Sequence, residues 1–221
     1  MKKSYAIIGL GRFGLAMVEE LSKINADVIA IDISEESVTK AAEYINHAFI
    51  CDSTNETALH EIGIQNVDHA IIAFGSNLQA TILSTVLLKE MNIPKITVRV
   101  DNDYYVPIIK KLGATDIISP QKLAGVRLAN KVVSDTFIDY FNLSEDYCIV
   151  EALVVDDFKS ISIQDLNPRN TFDVNIVLIT RGNSTFQPKG NDEILPKDRL
   201  FIFGHRHDLA KFNNYLSQHR Q

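Results

Sequence analysis

The chain has 221 residues, of which 46% are hydrophobic and 23% charged, as is typical of a globular protein with one or two domains. Its net charge of −6, with basic residues scattered among acids, argues against nucleic acid as a partner. No apolar run approaches the length that spans a bilayer, and residues 1–4 lead into a short strand instead of a signal peptide, so we expect a soluble, cytoplasmic chain.

The first element predicted is a strand over residues 4–8, followed at once by a glycine-rich loop and a helix over residues 13–24. The loop has the spacing Gly-x-Gly-x-x-Gly, formed by Gly9, Gly11 and Gly14. In this context the first glycine permits a tight turn, the second lets the backbone approach a phosphate, and the third lets the helix pack closely on the strand. The alternative is a glycine turn that binds no ligand.

A second strand over residues 27–31 ends at Asp32, eighteen residues beyond Gly14. A carboxylate at this spacing is able to accept hydrogen bonds from both hydroxyls of an adenosine ribose. Together with the glycine loop, Asp32 therefore predicts an adenine nucleotide site.

The rhythm of strand and helix continues to about residue 133. Further strands are predicted over residues 47–51, 68–74, 95–100 and 115–119, and further helices over residues 35–44, 56–62, 78–91, 104–112 and 123–133. The strands are nearly continuous in apolar residues, which indicates a parallel sheet covered on both faces. We predict a Rossmann-like, doubly wound α/β domain whose ligand crevice lies at the carboxyl ends of the strands, where Gly9, Asp32, Asp52 and Gly75 fall.

Apolar residues crowd the stretch 137–143, between charged neighbours. It either packs back on its own domain or forms a crossover exchanged with a second subunit. The rhythm then changes: strands are predicted over residues 147–155, 175–180 and 200–203, with a closing helix over residues 208–216. We therefore predict a nucleotide-binding domain over residues 1–134, a crossover or linker over 135–145, and a small α+β domain over 146–221.

The sequence lacks the residue patterns that a hydride-transfer enzyme would need. No tyrosine has a lysine four residues later, and the second domain is too small for an ordinary substrate domain. The cysteines Cys51 and Cys148 are predicted to be small buried hydrophobic residues, and His205-Arg206-His207 a solvated turn, so we predict no metal site and no catalytic residue. The alternative class is an NAD(H)-dependent oxidoreductase with an unrecognised catalytic residue.

Three polar side chains lie where a ligand could be contacted. Arg12 lies inside the glycine loop, where its planar cation could reach phosphate oxygens of this site or of a neighbouring subunit. Arg99 falls near the end of the fifth strand and Gln121 just after the sixth. For each, the alternative is a purely structural or solvent-facing role.

Several motifs together resemble the RCK/KTN (TrkA-like) regulatory proteins of bacterial potassium uptake. They are Gly9-Leu10-Gly11-Arg12-Phe13-Gly14, Asp32, Cys51-Asp52-Ser53-Thr54, Gly75-Ser76-Asn77-Leu78-Gln79-Ala80 and, in the second domain, Asp165-Leu166-Asn167-Pro168-Arg169. The resemblance extends over essentially the whole chain and is closest to the cytosolic subunit of Ktr-type systems. A nucleotide-binding scaffold unrelated to transport is the remaining alternative.

The resemblance implies a non-enzymatic subunit in which dimers assemble into an octameric ring that docks on a separate membrane K⁺ channel or transporter subunit. It implies gating of K⁺ flux by ATP or ADP, with NAD(H) as an alternative ligand, and contact with the membrane only through the partner. The implied nucleotide contacts are Gly9, Gly11, Arg12, Phe13, Gly14, Asp32, Asp52, Ser53, Gly75, Arg99 and Gln121.

The resemblance also implies a second ligand, cyclic di-AMP, at a two-fold interface of the C-terminal domain. The implied contacts are Ile163, Arg169, Asn175, Ile176 and Pro188. A symmetric dinucleotide would receive one Arg169 for each phosphate. One departure concerns the first site: relatives generally carry a glutamate where this chain has Gln121, and an amide is a poor ligand for a hard cation.

Overall fold

The structure, a computed structural model, describes residues 3–132 and 137–219. The chain forms two compact units, residues 1–122 and 123–221. Among the described residues, no helix combines the length and apolar character needed to cross a membrane.

The first unit is built on a parallel sheet. Its strands, within the described residues, are β1 (Ser4–Ile8), β2 (Asp27–Asp32), β3 (His47–Ile50), β4 (His69–Ile72), β5 (Lys95–Arg99) and β6 (Asp116–Ile118). They lie in the order β3-β2-β1-β4-β5-β6, so the direction of winding reverses between β1 and β4. The predicted doubly wound fold is confirmed, and its switch point puts the ligand crevice at the carboxyl ends of β1 and β4.

Helices alternate with these strands. They are α1 (Arg12–Lys23), α2 (Glu35–Ala42), α3 (Glu56–Glu61), α4 (Leu78–Glu90) and α5 (Val106–Lys111). A further helix, α6 (Pro120–Val132), follows β6, and its residues from 123 onward belong to the second unit. The helix predicted over residues 104–112 is a 3₁₀ turn (Asp103–Tyr105) followed by α5, because Pro107 occupies the first turn of α5, where its missing N–H costs nothing. Residue 133, the end of the helix predicted over residues 123–133, lies outside the described residues.

Apolar layers cover both faces of the parallel sheet. Successive strand residues point to opposite faces, so Ile7 of β1 packs in one layer and Ile8 in the other. The same division separates Ile71 from Ile72 in β4, and all four side chains are buried. Two-sided burial explains why these strands are continuous in apolar residues.

The second unit contains an antiparallel sheet in the order β11-β10-β13-β8-β7 and a two-stranded ladder of β9 and β12. The strands are β7 (Phe137–Asn142), β8 (Tyr147–Leu153), β9 (Ile161–Ser162), β10 (Val174–Arg181), β11 (Ser184–Phe186), β12 (Glu193–Ile194) and β13 (Arg199–His205), and the helices are α7 (Ile163–Leu166), α8 (Pro168–Phe172) and α9 (Arg206–Gln218). One face of the larger sheet packs on α9 through Leu209, Phe212 and Leu216. The predicted small α+β domain is confirmed.

The stretch predicted as a crossover or linker contains β7, which pairs antiparallel with β8 of the same chain. The pairing register places Asp139 opposite Glu151 and Phe141 opposite Ile149. β7 is the edge strand of this sheet. Residues 135 and 136 of that predicted linker lie outside the described residues, and exchange with a second subunit stays a prediction.

His69 begins β4, at the end of the parallel sheet opposite the crevice. Its Nε2 atom lies 2.8 Å from Thr97 Oγ1, and burial, aided by Lys95, lowers the pKa of the imidazole below its ordinary value of 6.5, against a smaller opposing effect of Asp116. The folded state thus favours neutral His69, and its contribution to stability is complete above pH 6.5 and is lost as the pH falls through the folded-state pKa. We expect the loss of stability between pH 7 and 5 to be smaller in His69→Gln than in the wild type, as measured by urea unfolding.

The exposed His60 provides the control for this measurement. It lies on α3 with its side chain half exposed, so His60→Gln removes an imidazole from outside the core and is the reference against which His69→Gln is compared. Identical pH profiles for His69→Gln and the wild type would contradict the assignment to His69.

Candidate functional site

A cleft of about 640 Å³ opens at the carboxyl ends of β1 to β5. It is lined by residues at the ends of these strands, in the loops that follow them and in α4, including Gly9, Gly11, Asp32, Cys51, Asp52, Ser53, Thr54, Phe74, Gly75, Asn77, Leu83, Arg99 and Asp101. This volume falls in the range of sites for small molecules and cofactors. The structure thus brings seven of the predicted nucleotide contacts to one cleft: Gly9, Gly11, Asp32, Asp52, Ser53, Gly75 and Arg99.

The glycine loop joins β1 to α1 by close backbone contacts. Gly9 has a φ of +94°, and its N–H donates to Ile31 O at 2.8 Å. A Cβ atom on Gly14 would lie 1.9 Å from Gly9 O, so only glycine allows α1 to approach the loop this closely. Gly11 is the N-cap of α1 and has no side chain to satisfy the first N–H groups, which leaves them free to bind an anion.

Asp32 ties the glycine loop to the turn after β2. Its Oδ2 atom accepts from Leu10 N at 2.6 Å, and its Oδ1 atom accepts from Ser34 N at 2.8 Å. A carboxylate has about four acceptor positions, so these bonds leave capacity for further donors. Binding of ribose hydroxyls by Asp32 stays a prediction.

Asp52 and Ser53 follow β3 and have different surroundings. Asp52 is exposed, and hydrogen bonds from Thr54 N (2.9 Å) and Thr54 Oγ1 (2.7 Å) lower the pKa of its carboxyl group, so it is ionised at neutral pH. Ser53 is buried, and Ser84 of α4 donates to its Oγ atom at 2.7 Å. The Ser53 hydroxyl therefore holds this loop against α4.

Arg99 lies deep in one wall of the cleft, with its side chain only 17% exposed. Its Nε atom donates to Asp101 Oδ1 at 3.0 Å and its Nη1 atom to Ala73 O at 3.3 Å, while the guanidinium lies 5.8 Å from the ring centre of Phe13. Oriented to satisfy both neighbours, the Gln121 amide donates to Asp101 Oδ1 at 3.1 Å and accepts from Arg99 Nη2.

The remaining predicted nucleotide contacts lie outside the cleft lining. Arg12 is exposed in the first turn of α1, and Phe13 is partly buried beneath Arg99. Gly14 acts through packing and Gln121 through Arg99 and Asp101. Contact of Arg12 with a ligand stays a prediction that requires its side chain to reach into this cleft or into that of another subunit.

The predicted second site lies in linked segments of the second unit. The N–H groups of Ile163 and Gln164 donate to Asp192 O at 2.9 Å and Gly190 O at 2.8 Å, which joins α7 to the turn that follows Pro188. Arg169 is exposed on α8, while Asn175 and Ile176 are the second and third residues of β10, the strand that follows that helix. Ile176 packs against the core. Arg169, the cation of this predicted set, is exposed to solvent.

The histidine cluster at the start of α9 has a capping role. His205 is the N-cap, and its Nδ1 atom accepts from His207 N at 3.3 Å. Within residues 3–132 and 137–219, the structure holds no group of three or more histidine, cysteine, aspartate or glutamate side chains able to bind a metal ion.

Two family matches cover most of the sequence: the TrkA-N domain over residues 5–120 and the TrkA-C domain over residues 149–217. The chain belongs to the RCK/KTN (TrkA-like) family. The motifs quoted above predicted this family, and the prediction is confirmed. The cleft lies within the TrkA-N match, and the second predicted site within the TrkA-C match.

Two relatives from one bacterium match nearly the full length of this TrkA-like chain. It is 40% identical to the Ktr system potassium uptake protein A of Bacillus subtilis (strain 168) and 38% identical to that organism's Ktr system potassium uptake protein C, each over 96% of both chains. Among solved structures, the GsuK channel bound to NAD matches with a TM-score of 0.67 and 13% identity, covering 100% of this chain and 40% of that one. This structural likeness shows the shared fold.

Asp101 is the charged residue of the cleft lining that the predicted contacts did not include. It follows β5 by two positions, at the carboxyl edge where Arg99 was predicted to contact a ligand. The same rule about strand ends would have included it. Its partners Arg99 and Gln121 are visible only in the folded chain.

Proposed function

We propose that this chain is a nucleotide-sensing regulatory subunit of a Ktr-type potassium uptake system. One observation carries the proposal: a chain 40% identical to a Ktr system potassium uptake protein over 96% of its length keeps an open cleft lined by a glycine loop and Asp32. The proposed ligands are ATP and ADP, with NAD(H) as the alternative. The subunit acts in the cytoplasm, at the inner face of the membrane, and catalyses no reaction.

The proposed mechanism is a change of assembly geometry. Dimers form an octameric ring on a membrane-embedded K⁺ channel or transporter subunit, and nucleotide identity alters the angle between subunits. Such coupling requires ATP and ADP to bind two ring states with different affinities, because a ligand that binds both states equally shifts nothing. Arg12, exposed at the glycine loop, reads the terminal phosphate, while Asp32 holds the ribose.

Cyclic di-AMP is the proposed second effector, bound at a two-fold interface of the second unit. The exposed cation of Arg169 is placed to meet a phosphate, and Asn175 presents an amide to a base edge. Ile163, Ile176 and Pro188 are partly buried apolar residues suited to cover the rings.

The test is calorimetric titration of the full chain with ATP, ADP, NADH and cyclic di-AMP. We expect Arg12→Ala to weaken ATP binding about tenfold, with a smaller effect on ADP, and Arg169→Ala to weaken only cyclic di-AMP, since each loses a charge-assisted hydrogen bond to phosphate. Lys23→Ala, at the other end of α1, removes the same charge from an exposed position and is the matched control.

Equal effects of both arginine substitutions on both ligands would contradict the two-site assignment. Solution scattering and K⁺ flux measured with the membrane partner test the mechanism itself. Identical ring geometry and identical flux with ATP and ADP would overturn it, and hydride transfer from NADH to a carbonyl compound would support an oxidoreductase instead.

A further inference from the structure

Arg99 and Asp101 form an ion pair in the wall of the cleft beside β5. The cation would attract a phosphate, and the anion would repel it. Arg99 contacts Asp101 Oδ1 through both Nε (3.0 Å) and Nη2 (2.9 Å), and both residues line the cleft. A phosphate that approaches Arg99 here must also approach the Asp101 carboxylate. The pair thus offers attraction and repulsion at the same point.

Gly75 leaves room for the Asp101 carboxylate, and Gln121 forms a hydrogen bond with it. A Cβ atom on Gly75 would lie 2.8 Å from Asp101 Oδ1, so the absence of a side chain at residue 75 is what lets the carboxylate rest against the loop after β4. The Gln121 amide bridges the pair, since it donates to Asp101 and accepts from Arg99. An amide is suited to this position because one end donates to the anion and the other accepts from the cation.

The other ionisable groups of the cleft do not compensate for Asp101. Among the described lining residues, three are carboxylates (Asp32, Asp52 and Asp101) and one is a guanidinium (Arg99). Asp32 accepts hydrogen bonds from Leu10 N of the glycine loop and Ser34 N, and Asp52 from Thr54, whereas Asp101 is paired with the guanidinium. Asp101 therefore determines the net charge that a ligand meets beside β5.

We propose that Asp101 is a specificity-determining residue that lowers the affinity of this cleft for highly charged nucleotides relative to less charged ones. Its carboxylate accepts hydrogen bonds from Arg99 that a phosphate would otherwise accept, and its negative charge repels a phosphate bound next to Arg99. The proposal rests on the proposed nucleotide-binding function and names the residue that sets its selectivity. Asp101→Asn keeps the shape of the side chain and removes the charge.

The experiment measures dissociation constants of ATP, ADP and NADH for the full chain by calorimetry, in low-salt buffer with EDTA so that no divalent cation masks the phosphates. Asp101→Asn should raise the affinity for ATP relative to NADH by about three- to tenfold, the effect of one unit charge at short range in a partly solvated site. ADP should fall between them, and the gain should shrink with added salt. Thermal melting checks the fold, and Asp101→Ser is the second variant.

Asp27→Asn is the control, because it removes the same charge from the start of β2, at the end of the sheet opposite the cleft. It should leave the ratio of ATP to NADH affinity unchanged. An unchanged ratio in folded Asp101→Asn and Asp101→Ser, or weaker ATP binding in both, would overturn the role of Asp101 alone. Failure of the wild-type chain to bind any of the three nucleotides would overturn the proposed function together with this inference.

Discussion

Gly14→Ala is expected to destabilise the first unit by about 3 kcal/mol or more, beyond the usual cost of overpacking, because the added methyl group meets backbone. Its Cβ atom would lie 1.9 Å from Gly9 O and 3.2 Å from Ala73 Cβ. Neither neighbour is free to move, since Gly9 N is bonded to Ile31 O and Ala73 N to Ile8 O, both at 2.8 Å. Urea unfolding followed by circular dichroism measures the loss, and nucleotide affinity should fall with it.

Gly11→Ala is the matched control for this substitution. A Cβ atom on Gly11 meets nothing within 4 Å, and its φ of −66° suits any residue. We expect stability within about 0.5 kcal/mol of the wild type, as for surface substitutions, but weaker nucleotide binding, because the methyl group blocks the approach of a phosphate. Equal stability of the two variants would show that close packing at Gly14 is not required.

The position of the cleft could be predicted from sequence because it depends on backbone topology. Gly9, Asp32, Asp52, Gly75 and Arg99 each follow or end a parallel strand, and such ends meet at one edge of the sheet. The detailed role of a side chain could not be predicted in the same way. It depends on neighbours distant in sequence, as with Ser53, whose hydroxyl is bonded to Ser84, thirty-one residues away.

The accuracy of the predicted fold also follows from burial. Strands of the parallel sheet are buried on both faces, so their continuous apolar runs were recognisable. The short strands β9, β11 and β12 span two or three residues, too few to show an alternating pattern. β7 was missed as a strand because apolar residues at adjacent positions, such as 137 and 138, obscure its alternation.

Arg181 and Asp198 form the ion pair whose disruption should most affect the second unit. Asp198 is fully buried, and its oxygens accept from Arg181 Nε and Nη2, each at 2.8 Å. Asp198 Oδ2 also accepts from Leu195 N at 2.8 Å, and Arg181 Nη2 donates to Glu193 O at 2.7 Å. The pair thus fixes the end of β10 to the segment that includes β12.

Arg181→Leu should destabilise the second unit by about 3 kcal/mol, because it leaves a buried carboxylate without its counter-ion. Asp198→Leu combined with Arg181→Leu should cost less than Arg181→Leu alone, since the double variant buries no unpaired charge. Urea unfolding of the full chain measures each value, and a double-mutant cycle gives the coupling energy.

Asp156 supplies the contrasting case in the same unit. Its ion pair with Lys197 is 3.7 Å long, with both side chains more than 70% exposed, so Asp156→Ala should cost under about 0.5 kcal/mol. A double variant less stable than Arg181→Leu would mean that the Asp198 carboxylate stabilises the fold through Leu195 N even without the guanidinium. That result would move the stabilising interaction from the ion pair to the turn that Asp198 caps.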